Sequence, residues 1–347
     1  MKKILISILF FNFVLLSHAK DNVRKPFDDV SYAWTKKQIE VLVDTINKTN
    51  LSFKRANRKI VAAIFPHDDH LYSGITVNSL ISQIGNKKLV IIFGVTHKTP
   101  TKMAGKVKNI LIFDNYKYWY APYQNIKVSD LREYLKKNLD EKDYIVSDTF
   151  HKYEHSIEAV LPFLSYYNRE GIEIMPIMIP PMDLSNMDKL SDNLSKAILN
   201  YLKEKNLSFK DVVFLISADA NHYGEDFHNT RFGSGEEGHR KARDNDFKIF
   251  HTYFEGKITE KRIKNIVKDK VFEKALWCGR YDIPFGLLTT EKIVEKKTGK
   301  HLFGNFVRYD DTYIDPIIPL KGYGFGVSAP FSLRHWVGHM AIAFTLK

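Results

Sequence analysis

The chain has 347 residues, 44% of them hydrophobic and 13% aromatic, a formal net charge of +12 and a single cysteine. That apolar content builds a sizeable core without staples, and one cysteine excludes an internal disulfide. The lysines are spread along helical segments. No basic stripe with stacking aromatics and no nucleic-acid motif is present, so nucleic acid is not an expected partner.

Residues 1–19 read as a signal peptide: Lys2-Lys3, an apolar run from Ile4 to Leu16, then Ser17-His18-Ala19 before Lys20. The run is about 13 residues, short of the roughly 20 that span a bilayer, and no later stretch is long and apolar enough. The expectation is an exported protein, periplasmic or extracellular, with no transmembrane segment after cleavage.

Residues 20–347 then form one α/β domain, with a central mostly parallel or mixed sheet and helices on both faces. Thr35 caps a helix through Asn47, with Ile39, Leu42, Val43 and Ile46 on one face. Ile60 to Phe65 is a buried strand stopped by Pro66, and Ile75 to Ile84 is helical. Lys88 to Phe93 is a second strand and Lys108 to Phe113 a third, followed by an aromatic loop or edge from Tyr116 to Tyr123 and a short helix from Ser129 to Leu139. Tyr153 opens a helix with Ile157, Val160, Leu161 and Leu164 on one face. Gly171 to Ile179 and Asp211 to Ser217 are strands flanking a long helix from Leu184 to Lys205. Glu236 to Phe254, Lys257 to Lys268 and a segment from Pro284 read as helices, and Tyr323 to Ala329 and His339 to Leu346 as late strands.

Chemistry-bearing residues recur just past strand ends, where open α/β sheets collect ligands. His67 follows the first strand, His97 the second, and Asp219 with His222 the strand ending at Ser217; Cys278 arrives on a fourth loop. Two imidazoles and a thiolate make a three-ligand open metal site, with positions left for water, oxygen or substrate. Asp219 and His222 are the expected acid-base or ligand-orienting groups, and His155 can serve similarly. Against these stand a turn cap for Asp219, a satisfied core histidine for His222 and a surface residue for His155.

Pro66-His67 with Tyr72-Ser73-Gly74, Gly94-Val95-Thr96-His97, Glu154-His155-Ser156-Ile157-Glu158, Ser217-Ala218-Asp219 with His222-Tyr223-Gly224, and Cys278-Gly279-Arg280 occur in an order that resembles the Memo-like proteins, called AmmeMemoRadiSam system protein B in bacteria and archaea. Val30 to Trp34 is similar to the family's amino-terminal aromatic motif. The resemblance implies a fold like that of class III extradiol dioxygenases of the LigB type. It also implies His67, His97 and Cys278 as metal ligands, Asp219 and His222 lining the cleft, and one iron or copper ion in a redox or dioxygenase-like role. Asp68, Asp69 and His70 depart from the small residues and tyrosine usual after the first histidine, and Arg308 to Thr312 stands where the family commonly has a less charged tyrosine motif. The segment from Ser332 extends beyond the resemblance as a short C-terminal extension. Two other functions fit the residues: a non-catalytic copper- or iron-binding protein, and a metal-dependent hydrolase built on His67-Asp68-Asp69-His70. The expected ligand is a metal or small molecule, and no protein partner is indicated.

Overall fold

The computed structural model describes residues 22–49, 53–169, 171–314, 317–328, 330 and 332–347. The signal-peptide segment, residues 1–19, lies outside the described residues.

Four parallel strands form the centre of the sheet: β1 (Ile60–Phe65), β2 (Leu89–Val95), β3 (Glu173–Ile179) and β4 (Val212–Ser217). Their spatial order is β3-β2-β4-β1, and the sheet continues antiparallel beside β1 with β6 (Trp336–Leu346) and then β5 (Leu302–Asp311). Short strands at Ile126–Val128, Tyr118–Trp119 and Val23–Arg24 extend the other edge. The sheet is mixed, as the sequence indicates, and the chain is a single α/β domain.

Each central strand is buried along its whole length or nearly so, which suits the continuous Val/Ile/Leu/Phe runs of strands covered on both faces. Side chains alternate between two apolar layers. Ile91, Phe93, Ile177, Phe214 and Ile216 pack with the helices Leu184–Glu204 and Asp282–Thr298. Ile92, Met178, Val213 and Leu215 pack on the opposite face with Lys36–Lys48 and His70–Ile81. Thr35 caps the first of these helices in a full capping box with Gln38.

Several elements differ from expectation. Tyr323–Ser328 is irregular rather than a strand, because Gly322 and Gly324 take positive φ and Ser328 is tied to Asp69; Ala329 lies outside the described residues. Gly256–Lys257 pairs with β5 as a short strand, so the following helix begins only at Glu260, capped by Thr259. The helix from Gly235 ends at Ile249 and is continued by a wider π turn, Phe250–Phe254. The segment after Tyr153 stays in turns and a single 3-10 turn, Glu158–Val160, before the helix Leu161–Tyr167. Strand β5 itself carried no signal, since Arg308, Asp310 and Asp311 interrupt its apolar pattern; Arg308 and Asp310 neutralise each other in a bidentate pair. The segment after Ser332 contributes β6, which lies between β1 and β5 inside the sheet rather than at its edge.

Candidate metal centre

Strand register sets the site. Phe65 of β1 is level with Ser217 of β4, and Phe93 of β2 with Ile216. The three strands therefore leave the sheet together, and His67, His97 and Asp219 emerge side by side at their carboxyl ends. Two glycines let other segments close on them. A Cβ on Gly94 would sit 2.4 Å from Ile157 Cγ1, so glycine alone admits the Ser156-Ile157 turn against β2. A Cβ on Gly279 would sit 2.5 Å from the Ala218 Cβ, so glycine brings the Cys278 loop onto the end of β4.

The result is a compact constellation. The ligand-capable atoms of His67, His97 and His155 lie within 4.8 Å of one another, and so do those of His67, Asp219 and Cys278. The expected ligands His67, His97 and Cys278 are thus divided between two groups that share His67. Rings of His97 and His155 stack at 4.6 Å, and both stand nearly perpendicular to His67.

Hydrogen bonds fix which ring nitrogens are free. The Ser217 hydroxyl donates to the Ser156 carbonyl at 2.5 Å, so toward His67 Nδ1, 2.8 Å away, it accepts. Nδ1 of His67 carries the proton and Nε2 keeps its lone pair. Likewise His97 Nδ1 donates to Glu154 Oε1 at 2.7 Å, freeing its Nε2. His222 Nδ1 faces the carbonyls of Ala220 at 3.2 Å and Leu276 at 3.0 Å, so its Nε2 is also bare. A carboxylate behind an imidazole is how metal-binding histidines are commonly oriented.

Two separations test the fit of a metal. With metal–nitrogen and metal–oxygen bonds near 2.0–2.1 Å and metal–sulfur near 2.3 Å, the edges of a tetrahedral site are about 3.6 Å for N···S and about 3.4 Å for N···O. His67 Nε2 lies 3.5 Å from Cys278 Sγ and 3.3 Å from Asp219 Oδ2. Both edges match, so His67, Cys278 and Asp219 fit around a transition-metal ion, and His97 and His155 form the second group about His67, within 4.8 Å of it.

Charge is distributed unevenly. Burial resists ionisation of Glu154, but His97 and four hydrogen bonds from His97, His155 and Ser156 outweigh it and hold the carboxyl well below the usual range. Burial pushes Asp219 up to about 7, and neighbouring Asp68 adds to the rise. Burial also lowers His155 and His222 to about 4, and raises the Cys278 thiol, with Asp219 and Asp282 contributing. A bound cation opposes each of these penalties on the thiolate and carboxylate.

The departures after His67 are turned to other uses. His70 is fully buried; its Nδ1 accepts from Ala33 N–H at 3.1 Å and its Nε2 donates to the Ala159 carbonyl at 2.7 Å, so it has no free ligand atom. Asp69 receives Ser328, and Asp68 pairs with His339 of β6 at 2.9 Å. The His67-Asp68-Asp69-His70 run therefore does not converge as a ligand set. Sequence reasoning missed the supporting groups Glu154, Ser217 and His339. Ser217 had a signal, a polar residue ending an apolar strand; His339 had none.

The fold and site define a mixed α/β domain with histidines, a cysteine and a carboxylate converging at the carboxyl ends of parallel strands. Residues 30–311 match the Memo-like protein family. A MEMO1 family protein of Saccharolobus solfataricus is 30% identical over 210 residues, covering 59% of this chain and 68% of that protein. A MEMO1 family protein of Pyrococcus furiosus is 31% identical over 185 residues, covering 51% and 58%. The crystal structure of an uncharacterized Escherichia coli K12 protein is similar with a TM-score of 0.44 at 10% identity, covering 81% of this chain and 99% of that one. The chain belongs to the Memo-like family. Among the described residues no helix is long and apolar enough to cross a membrane.

Proposed function

We propose that the protein binds one iron or copper ion through His67, His97 and Cys278 and acts on a small molecule in a redox or dioxygenase-like role. The observation that carries this is the His67 imidazole, whose Nε2 lone pair is held bare by Ser217 and lies at a tetrahedral edge from Cys278 Sγ. A thiolate with imidazoles suits iron and copper, and such an ion supplies Lewis acidity and one-electron chemistry. Glu154 holds His97 in its metal-binding tautomer. Asp219, its Oδ1 fixed by the N–H groups of His67 and Asp68, and His222, with a bare Nε2, are the groups that can hold and pass a proton beside the ion. His155, stacked on His97, forms the cleft wall and is the alternate nitrogen for the same ion. The amino-terminal segment fits export to the periplasm or beyond.

The test is metal content by mass spectrometry after purification without oxygen, for the wild type and for His67→Ala, His97→Ala and Cys278→Ser. About one iron or copper per chain, lost in the three variants, supports the reading; no metal in the wild type, or metal retained by all three, overturns it. A non-catalytic metal carrier would show the same stoichiometry with no oxygen consumption across phenolic and thiol substrates.

A further inference from the structure

Solvent reaches the residues of the site unevenly. The His67, Glu154 and His339 side chains are at most 1% exposed, whereas His97 is 26%, His155 32% and Asp68 11% exposed, and His222 and Cys278 are half-buried. An incoming compound therefore meets Asp68 and His222 as well as the proposed ligands.

Asp68 is held rigidly. Its Oδ2 accepts from His339 Nε2 at 2.9 Å, its Oδ1 accepts from the Asp69 N–H at 2.8 Å, and its own N–H donates to Asp219 Oδ1 at 3.2 Å. A carboxylate has about four acceptor positions, so two remain. The orienting imidazole of His339 is fully buried on β6, and its Nδ1 has no partner among the described residues. His222 pairs with Val337 of β6, two residues from His339, so the strand that orients Asp68 also sets His222 beside it. His222 presents a bare Nε2, because its Nδ1–H is used by two carbonyls. Both groups thus accept hydrogen bonds and neither offers one.

We propose that Asp68 and His222 form a substrate-selecting wall, so that the compound taken up carries an ammonium or other N–H donor beside its metal-coordinating atoms, and carboxylate-bearing analogues are turned away. A donor completes the open positions on Asp68 and His222, whereas a carboxylate would desolvate a like charge against Asp68 with no partner to meet it. This inference rests on the metal-binding reading. Asp68 is a specificity residue positioned by His339, not a metal ligand.

The probes are two catechols that share a chelating diol and differ in one charge, dopamine and 3,4-dihydroxyphenylacetate. Each is titrated anaerobically into the metal-loaded protein at pH 7, with binding read by calorimetry and absorbance. We expect dopamine to bind about tenfold or more tighter, as desolvated charge complementarity commonly gives. Raising the salt concentration should compress the ratio in the wild type. Asp68→Asn, which keeps an acceptor for His339, should reduce the ratio to below about threefold while metal content stays unchanged. Metal uptake with equal or inverted affinities, with neither catechol binding, or with a ratio unaltered in Asp68→Asn overturns this inference alone. Absence of metal uptake by the wild type overturns the metal reading and this inference with it. The wild-type ratio and its salt dependence decide the matter even if Asp68→Asn does not fold.

Discussion

Ser217→Ala isolates the hydroxyl that sets the His67 tautomer. Ser217 is fully buried, accepting from His67 Nδ1–H at 2.8 Å and donating to the Ser156 carbonyl at 2.5 Å. Removing the hydroxyl orphans both groups, and each orphaned buried partner costs about 1–3 kcal/mol. One escape exists: the His67 proton moves to Nε2 and donates to Asp219 Oδ2, 3.3 Å away. That rescue leaves the Ser156 carbonyl unpaired and exchanges a bare Nε2 for a bare Nδ1, a net loss of one partner, so urea unfolding of the metal-free variant should show a loss of about 1–3 kcal/mol. It also puts a proton on the nitrogen the metal needs. Chelator competition should then show metal affinity reduced about 10–100-fold, the usual effect of removing a group that orients a metal-binding histidine. Nitrogen-15 NMR of the metal-free proteins should find His67 protonated at Nδ1 in the wild type and at Nε2 in the variant. Unchanged affinity with an unchanged tautomer would refute the hydroxyl relay as the organiser of the site.

Gly94→Ala drives a methyl to 2.4 Å from Ile157 Cγ1 and 3.0 Å from Ser156 Oγ; we expect a destabilisation of about 1–3 kcal/mol and weaker metal binding by competition, and an unchanged melt would count against that close approach. His70→Ala leaves the Ala33 N–H and the Ala159 carbonyl unpaired around a cavity, so stability should fall by about 2–5 kcal/mol with metal content intact; metal loss without destabilisation would place His70 in the ligand set. Asp246 is pushed up to about 7 by burial, despite hydrogen bonds from Trp277, Tyr309 and Asn221. A carboxyl whose folded value lies above its ordinary 3.8 keeps its proton longer in the folded chain than in the unfolded one. Its contribution to stability should therefore fall as pH rises between about 4 and 7, by at most about 4 kcal/mol, and level off above. Denaturant midpoints for wild type and Asp246→Asn should diverge across that interval, the variant giving the flatter curve; parallel curves would show that Asp246 is not the titrating group.

The central strands were legible because Ile60–Phe65, Leu89–Val95 and Val212–Ser217 are continuous apolar runs, the pattern of strands covered on both faces. The same regularity made the strand-end residues His67, His97 and Asp219 stand out. What escaped was set by contacts distant in sequence. Strand β5 hides its charge in the Arg308–Asp310 pair, and His339 becomes meaningful only when β6 pairs beside β1 and brings it to Asp68. Ring tautomers are likewise invisible in sequence. Asp68, Asp69 and His70 resembled a metal loop by composition, yet their partners Ser328, His339, Ala33 and Ala159 come from four separate segments.

X-ray absorption at the metal edge of the loaded protein tests the centre most directly, comparing wild type with Cys278→Ser. We predict one sulfur scatterer near 2.3 Å beside nitrogen or oxygen scatterers at about 2.0–2.1 Å, with the sulfur contribution absent in the variant. A shell of nitrogen and oxygen alone in the wild type, unchanged by Cys278→Ser, would contradict coordination at the His67–Cys278 edge.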